Sequence, residues 1–274
     1  MTAVAETAQP RHLIVTVYGL YGRGPFARGA GGWMSVARLV SLLADLGVDE
    51  SAVRSSISRL KRRGMLVPDR RDGAAGYELS EEALAILTEG DHRIFRRERG
   101  TLADGWLLAV FSVPESERNK RHTLRMQLTR LGFGTTAPGV WIAPAHLSAA
   151  TEDMLRRLDL SGYADLFHSR HLAFGDLAEK VRQWWDLDEL ERLYSEFVRA
   201  HTPVLRRRRA ASDREAFADY VRLLTDWRRL PYLDPGLPAE LLPANWVGIR
   251  AAETFFTLQS HLAEAAGRHA VTSS

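Results

Sequence analysis

The sequence predicts an α+β fold in three parts, on three observations. Two short amphipathic helices, Val36 to Leu46 and about Glu50 to Arg63, are joined by a tight turn and followed by a hairpin pattern. A middle stretch reads strand, helix, strand, strand, helix, strand. From Asp176 onward the apolar spacing is helical throughout.

Taken in order, Leu13, Val17 and Leu20 line one face of a helix over residues 11–22, and the glycines between Gly22 and Gly32 mark a loop. Trp33 and Met34 are a short extended piece, and Ser35 is a helix N-cap. Gly47 supplies the left-handed residue that ends the next helix, and Asp49 caps the one after it. Gly64 closes that helix. Met65 to Asp69 and Tyr77 to Leu79 then pair across a basic, glycine-rich tip running from Arg70 to Gly76. Ser80 caps a helix with Glu81 and Glu82 in its first turn, where the helix dipole favours negative charge. This order is that of a winged helix-turn-helix, and a basic helical segment from Asp91 to Arg99 links it to the middle stretch.

The apolar run of residues 106–115, closed by Pro114, reads as a buried strand, and Glu117 to Leu131 as a helix ended by Gly132. Extended pieces at Phe133 to Thr136 and Val140 to Ile142, a helix from Ser148 to about Asp159 and a strand from Tyr163 to Phe174 complete a ferredoxin-like unit. Helices are then expected at Leu177 to Trp185, Leu187 to Ala200, Asp213 to Arg229 and Ala244 to Ala266. Pro231, Pro235, Pro238 and Pro243 break the stretch between the last two. The expected domains are residues 1–99, a winged helix-turn-helix with a linker helix; residues 100–175, a ferredoxin-like domain; and residues 176–274, an all-helical C-terminal domain.

Composition bounds the function. With 45 % hydrophobic and 26 % charged residues the chain is an ordinary globular protein. No apolar run approaches the roughly 18 residues a membrane span needs, and Met1 to Pro10 lacks the order of a signal peptide, so a cytoplasmic location is expected. Cysteine is absent, which excludes disulfides and thiolate zinc sites, and no cofactor is expected. The net charge of +3 conceals a local excess. Arg54, Arg59, Lys61, Arg62, Arg63, Arg70 and Arg71 lie in one short stretch against the single acid Asp69.

On a helical wheel Val53, Ile57 and Leu60 converge within about 60°, marking the buried side of the Glu50 to Arg63 helix. Ser51, Ser55, Ser58, Arg59 and Arg62 point the other way, with Arg54 and Lys61 on the flank. Small hydroxyls admit close approach to base edges, and guanidinium groups bind guanine or phosphate bidentately, so this face suits the major groove of double-stranded DNA. Arg70 and Arg71 at the hairpin tip are expected on the flanking backbone or minor groove. The plain alternative is a solvated basic helix face.

The sequence resembles the PaaX-like repressors, named for regulators of phenylacetate degradation. The resemblance rests on Gly32-Trp33, VRSSISRLKRRGML (Val53 to Leu66), LGFGTTAPGVWIAP (Leu131 to Pro144), LYSEF (Leu193 to Phe197) and DPGLPAELLPANWVG (Asp234 to Gly248), and it covers nearly the whole chain. It implies a homodimeric repressor, a palindromic operator and release by an aryl-CoA thioester such as phenylacetyl-CoA, which makes residues 100–175 the expected dimerisation domain and residues 176–274 the expected effector and dimer domain. For such an effector the aromatic- and arginine-rich helices offer Trp185, Tyr194, Arg206, Arg207 and Trp227, with the Arg206 to Arg209 run facing CoA phosphates. Helix-core packing and a solvated helix end are the alternatives for these residues.

The middle unit separately resembles the ferredoxin-like subunit of CRISPR adaptation nucleases, whose first strand ends in a metal-binding aspartate. The matching position in VFSVPESERNKR is Ser112, which lacks the charge a divalent cation needs. A metal-dependent nucleic-acid hydrolase is therefore the second reading, without its key group. His168 and His171 have helical metal spacing, but on a strand they face opposite sides.

Overall fold

The computed structural model describes residues 9–23, 32–207 and 212–272. Most of the expected Gly22 to Gly32 loop, and Arg208 and Arg209, lie outside them. Eleven α-helices and seven strands are found among the described residues, and their contacts gather into two compact units that do not follow chain order. One unit holds Met1–His92, Phe197–Arg228 and Arg250–Ser274; the other holds Arg93–Glu196 and Arg229–Ile249.

The first unit begins with α1 (Pro10–Tyr21), which buries Leu13, Ile14, Val17, Tyr18 and Tyr21. Strand β1 (Met34–Ser35), α2 (Val36–Ala44), α3 (Glu50–Arg62), β2 (Leu66–Arg71), β3 (Ala74–Leu79) and α4 (Glu81–Phe95) come next. The three strands form an antiparallel sheet ordered β1-β3-β2. The hairpin is tighter than expected. Asp72 and Gly73 alone make the turn, both at positive φ (51° and 79°), and Arg71 pairs directly with Ala74. An Asp-Gly pair tolerates the two left-handed residues that such a turn demands, so the strands zip up through Arg70 and Arg71.

Helix α4 absorbs the start of the expected Asp91 to Arg99 segment and stops at Phe95. The same unit takes in the end of α8 (Leu187–Arg207), α9 (Asp213–Trp227) and most of α11 (Val247–Thr272). Thr225 donates to the Thr16 hydroxyl of α1 at 2.8 Å, and Arg222 to the Leu46 carbonyl at the end of α2 at 3.1 Å. The buried Arg38 of α2 donates to the Ala270 carbonyl at 2.6 Å. Trp227 stacks on Phe255 with ring centroids 4.7 Å apart. The end of α8, α9 and most of α11 thus share a core with the N-terminal elements. Helix α8 also passes the expected end at Ala200 and carries Pro203 inside it.

The second unit contains β4 (Trp106–Phe111), α5 (Arg118–Leu131), β5 (Gly134–Ala137), β6 (Val140–Pro144), α6 (Ser148–Arg157) and β7 (Ala164–Ser169). Its four-stranded sheet is ordered β5-β6-β4-β7 with every neighbour antiparallel. Leu107, Ala109 and Trp141 on one face pack with Leu124, Leu128, Met154 and Leu155 of the two helices. Strand β7 stops at Ser169 rather than Phe174, since its pairing with β4 ends opposite Trp106.

The unit is completed by α7 (Leu177–Trp184), the first part of α8 and the proline-rich stretch, in which α10 (Leu230–Leu233) is one helical turn. Asp234 is fully buried. It accepts from the Arg97 guanidinium, from the Tyr194 hydroxyl at 3.0 Å and from the Gly236 N–H at 2.9 Å. Burial alone would raise its carboxyl; Arg97 and Arg99 outweigh that and hold it below the usual aspartate value. Gly236, at φ 75°, lies so close to the Glu98 carbonyl that a Cβ would come within 2.4 Å of that oxygen.

Candidate nucleic-acid interface

The α2–α3 segment is built from caps. Ser35 accepts from the Arg38 N–H at 3.1 Å and starts α2. At its end the Gly47 N–H bonds the Ala44 carbonyl (2.9 Å) and the Val48 N–H the Leu43 carbonyl (3.0 Å), with Gly47 at φ 79°. This paired pattern turns the chain into α3, with Asp45 to Asp49 between the two helices. Asp49 occupies the N-cap position of α3, but its side chain makes no capping bond. The same closure recurs at Gly64, where the Met65 N–H reaches the Leu60 carbonyl at 3.0 Å.

Helix α3 buries Val53, Ser56, Ile57 and Leu60. Ser51, Arg54, Ser55, Ser58, Arg59, Lys61 and Arg62 are all exposed, and so is Arg63 at the C-cap, which the wheel left off the reading face. Arg59 donates to the Ser55 hydroxyl at 3.0 Å, which lays its guanidinium back along the helix. Arg54 pairs with Glu50 at 2.7 Å, both side chains more than half exposed. Such a pair is worth little in water.

The two hairpin arginines differ. Arg70 is exposed and donates to the Gly73 carbonyl at 3.0 Å beside the turn. Arg71 is half-buried, paired with Asp69 and Glu78 at 2.8 Å each, with its guanidinium 5.6 Å from the Trp33 ring centre. Trp33 lies against Gly76, where a Cβ would meet its ring at 2.4 Å. The side chain of Arg71 therefore braces the hairpin, because strand pairing sets it beside two carboxylates and an indole.

The residues expected around an effector lie in both units. Trp185 is buried and donates to the Gly132 carbonyl at 2.8 Å; Tyr194 is buried on Asp234. In the other unit Trp227 is buried, Arg207 is engaged by Glu215 and Asp219, and Arg206 is exposed. Ser112 directly follows β4, its N–H bonded to the Tyr163 carbonyl at 3.0 Å. The Nε2 of His168 lies 2.7 Å from the Asp104 carbonyl, and His171 falls beyond β7. Among the described residues no group of three or more His, Asp or Glu side chains converges to hold a metal ion, and no helix is long and apolar enough to cross a membrane.

Three family models match successive parts of the chain: PaaX-like protein over residues 9–83, PaaX protein central Cas2-like domain over residues 99–181, and PaaX-like protein C-terminal domain over residues 185–272. A protein of Escherichia coli K12 described as transcriptional repressor PaaX is 29 % identical over 257 residues, covering 90 % of this chain and 79 % of that protein. Among solved structures, uncharacterized protein Rv0674 from Mycobacterium tuberculosis superposes with a TM-score of 0.60 at 25 % identity, covering 96 % of this chain and 99 % of that one.

Proposed function

The chain belongs to the PaaX-like family of transcriptional regulators, and from that membership we propose that it is a DNA-binding repressor reading its operator with the exposed face of α3. The observation that carries this is the clean division of α3: Val53, Ile57 and Leu60 are inside, and every hydroxyl and cation expected on the reading face is outside. In this reading α2 and α3 are the helix-turn-helix and the β2–β3 hairpin is its wing, with Arg70 reaching the flanking backbone. Ser55 and Ser58 allow close approach to base edges, while Arg59, Arg62 and Lys61 supply guanine or phosphate contacts.

The strand order of the second unit, with the first and third strands side by side at its centre, supports a ferredoxin-like domain. With Ser112 in place of a carboxylate, that domain is read as a scaffold and not as a hydrolase. A homodimer on a palindromic operator would set two copies of α3 about 34 to 36 Å apart, one helical turn of DNA. The effector class carried by the family resemblance is an aryl-CoA thioester.

Footprinting on DNA upstream of the protein's own gene, with and without phenylacetyl-CoA, tests the whole reading. The expected result is a two-fold symmetric protected site that is lost with the thioester. Wild-type binding by both Arg59→Ala and Arg62→Ala would sink the assignment of α3.

A further inference from the structure

The LGFGTTAPGVWIAP segment lies outside the DNA-reading face, and part of it lines an open cleft of about 580 Å³ in the second unit. Phe111, half-buried, gives the cleft its accessible aromatic surface, with the buried Trp141 behind it at a ring-centroid distance of 6.4 Å. Ser112, Thr135 and Thr136 add hydroxyls, and Arg121 and Arg125 of α5 add two cations; no Asp or Glu is among the lining residues. The hairpin between β5 and β6 closes one side. Its Pro138-Gly139 turn has Gly139 at φ 78°, the Gly139 carbonyl accepts from the Phe111 N–H at 2.9 Å, and the strand pairing is irregular at Thr136. Bulges of this kind re-aim side chains beside binding sites.

The two arginines are unequally exposed. Arg121 is fixed by the Val113 carbonyl at 2.6 Å and by Glu115 at 2.9 Å. Arg125 stands four residues on along the helix and is exposed, whereas Arg121 is half-buried. Like charges at that spacing repel, and an anion beside both relieves the repulsion. The volume falls within the roughly 300 to 1,000 Å³ usual for small-molecule sites, and a concavity of that size cannot seat a duplex.

We propose that this cleft binds a small aromatic anion, its ring against the half-buried Phe111 and its negative group on Arg125 and Arg121. A free aryl carboxylate and an aryl-CoA thioester share this chemistry. The inference deepens the effector-released regulator above, on which its regulatory role rests, by moving the effector from the buried aromatics of the helices to this cleft.

Calorimetry on the full chain without DNA, using phenylacetate, phenylacetyl-CoA and coenzyme A, tests it. Wild type is expected to bind one of the two aryl ligands saturably. Arg125→Ala and Ser112→Asp, both at exposed positions, should each weaken that ligand about tenfold or more, while Arg125→Lys keeps most of the affinity. Phenylacetate binding places a carboxylate on the arginines; binding by the thioester alone places CoA phosphates there. No saturable heat with either aryl ligand, unchanged affinity in Arg125→Ala and Ser112→Asp, or coenzyme A binding as tightly as its thioester each overturns the proposal. Operator binding is measured separately, so loss of the ligand site and loss of the DNA reading remain distinguishable.

Discussion

On α3, Arg54, Arg59, Lys61 and Arg62 stand in solvent with at most local partners, whereas in the second unit Arg97 and Asp234 meet with side chains only 8 % and 2 % exposed. Solvated cations cost little to keep and give little stability, so they remain available to a polyanion. A buried guanidinium has lost its water and is tolerable only against a fixed carboxylate, so it is committed to the fold. The same side chain is thus open to a ligand in one region, where we propose that it binds DNA, and structural in the other, and burial makes the difference.

The largest expected effect lies on the buried side of that comparison. Asp234→Ala removes the acceptor of Arg97, Tyr194 and the Gly236 N–H, and denaturant unfolding should show a loss of about 3 to 5 kcal/mol. A loss below about 1 kcal/mol would make this pair no different from a surface one. The pH dependence has a definite sign. The folded carboxyl sits below the ordinary value of 3.8, so its contribution is complete above that value and disappears as pH falls through the lower folded value. Asp234→Asn should flatten the acid limb of the stability curve below 3.8.

On the exposed side, Arg59→Ala or Arg62→Ala should cost about 1 to 3 kcal/mol of operator affinity and relax specificity if the arginine meets a base. If it meets a phosphate, the log-log salt slope should drop by about 0.9. Neither change should move the unfolding midpoint. Ser35→Ala removes the cap that starts α2 and should cost about 1 kcal/mol of stability, seen as a shifted denaturation midpoint with unchanged slope. Smallest of all, Glu50→Gln releases Arg54 at a stability cost below about 0.5 kcal/mol while tightening DNA binding at low salt. A larger destabilisation would show that the α3 surface is more structural than its exposure implies.

Several features were legible because their causes are local. Gly47 and Gly64 end helices because the left-handed residue at each closure suits glycine, and Ser35 and Ser80 cap helices through their own hydroxyls. The division of α3 stems from a period of 3.6 residues alone. Arg71 was placed with Arg70 as a tip residue because the run to Gly76 looks like a loose turn. Only the pairing through Arg71 and Ala74 brings it beside Asp69, Glu78 and Trp33. Tyr194 and Trp227 have the composition of a ligand pocket, yet a periodic aromatic face does not say what it packs against.

Neighbours along the chain were enough to set where most helices and strands begin, which side of α3 is apolar, and that its other side is cationic, since each depends on residues within a few positions of one another. Folding in three dimensions was needed to bring α9 and α11 into a core with α1 and α2, to commit Arg97 to Asp234, and to line one cleft with Phe111, Arg125 and Trp141. Those outcomes depend on contacts between residues far apart in the chain, and periodicity records that a face is buried without recording its partner.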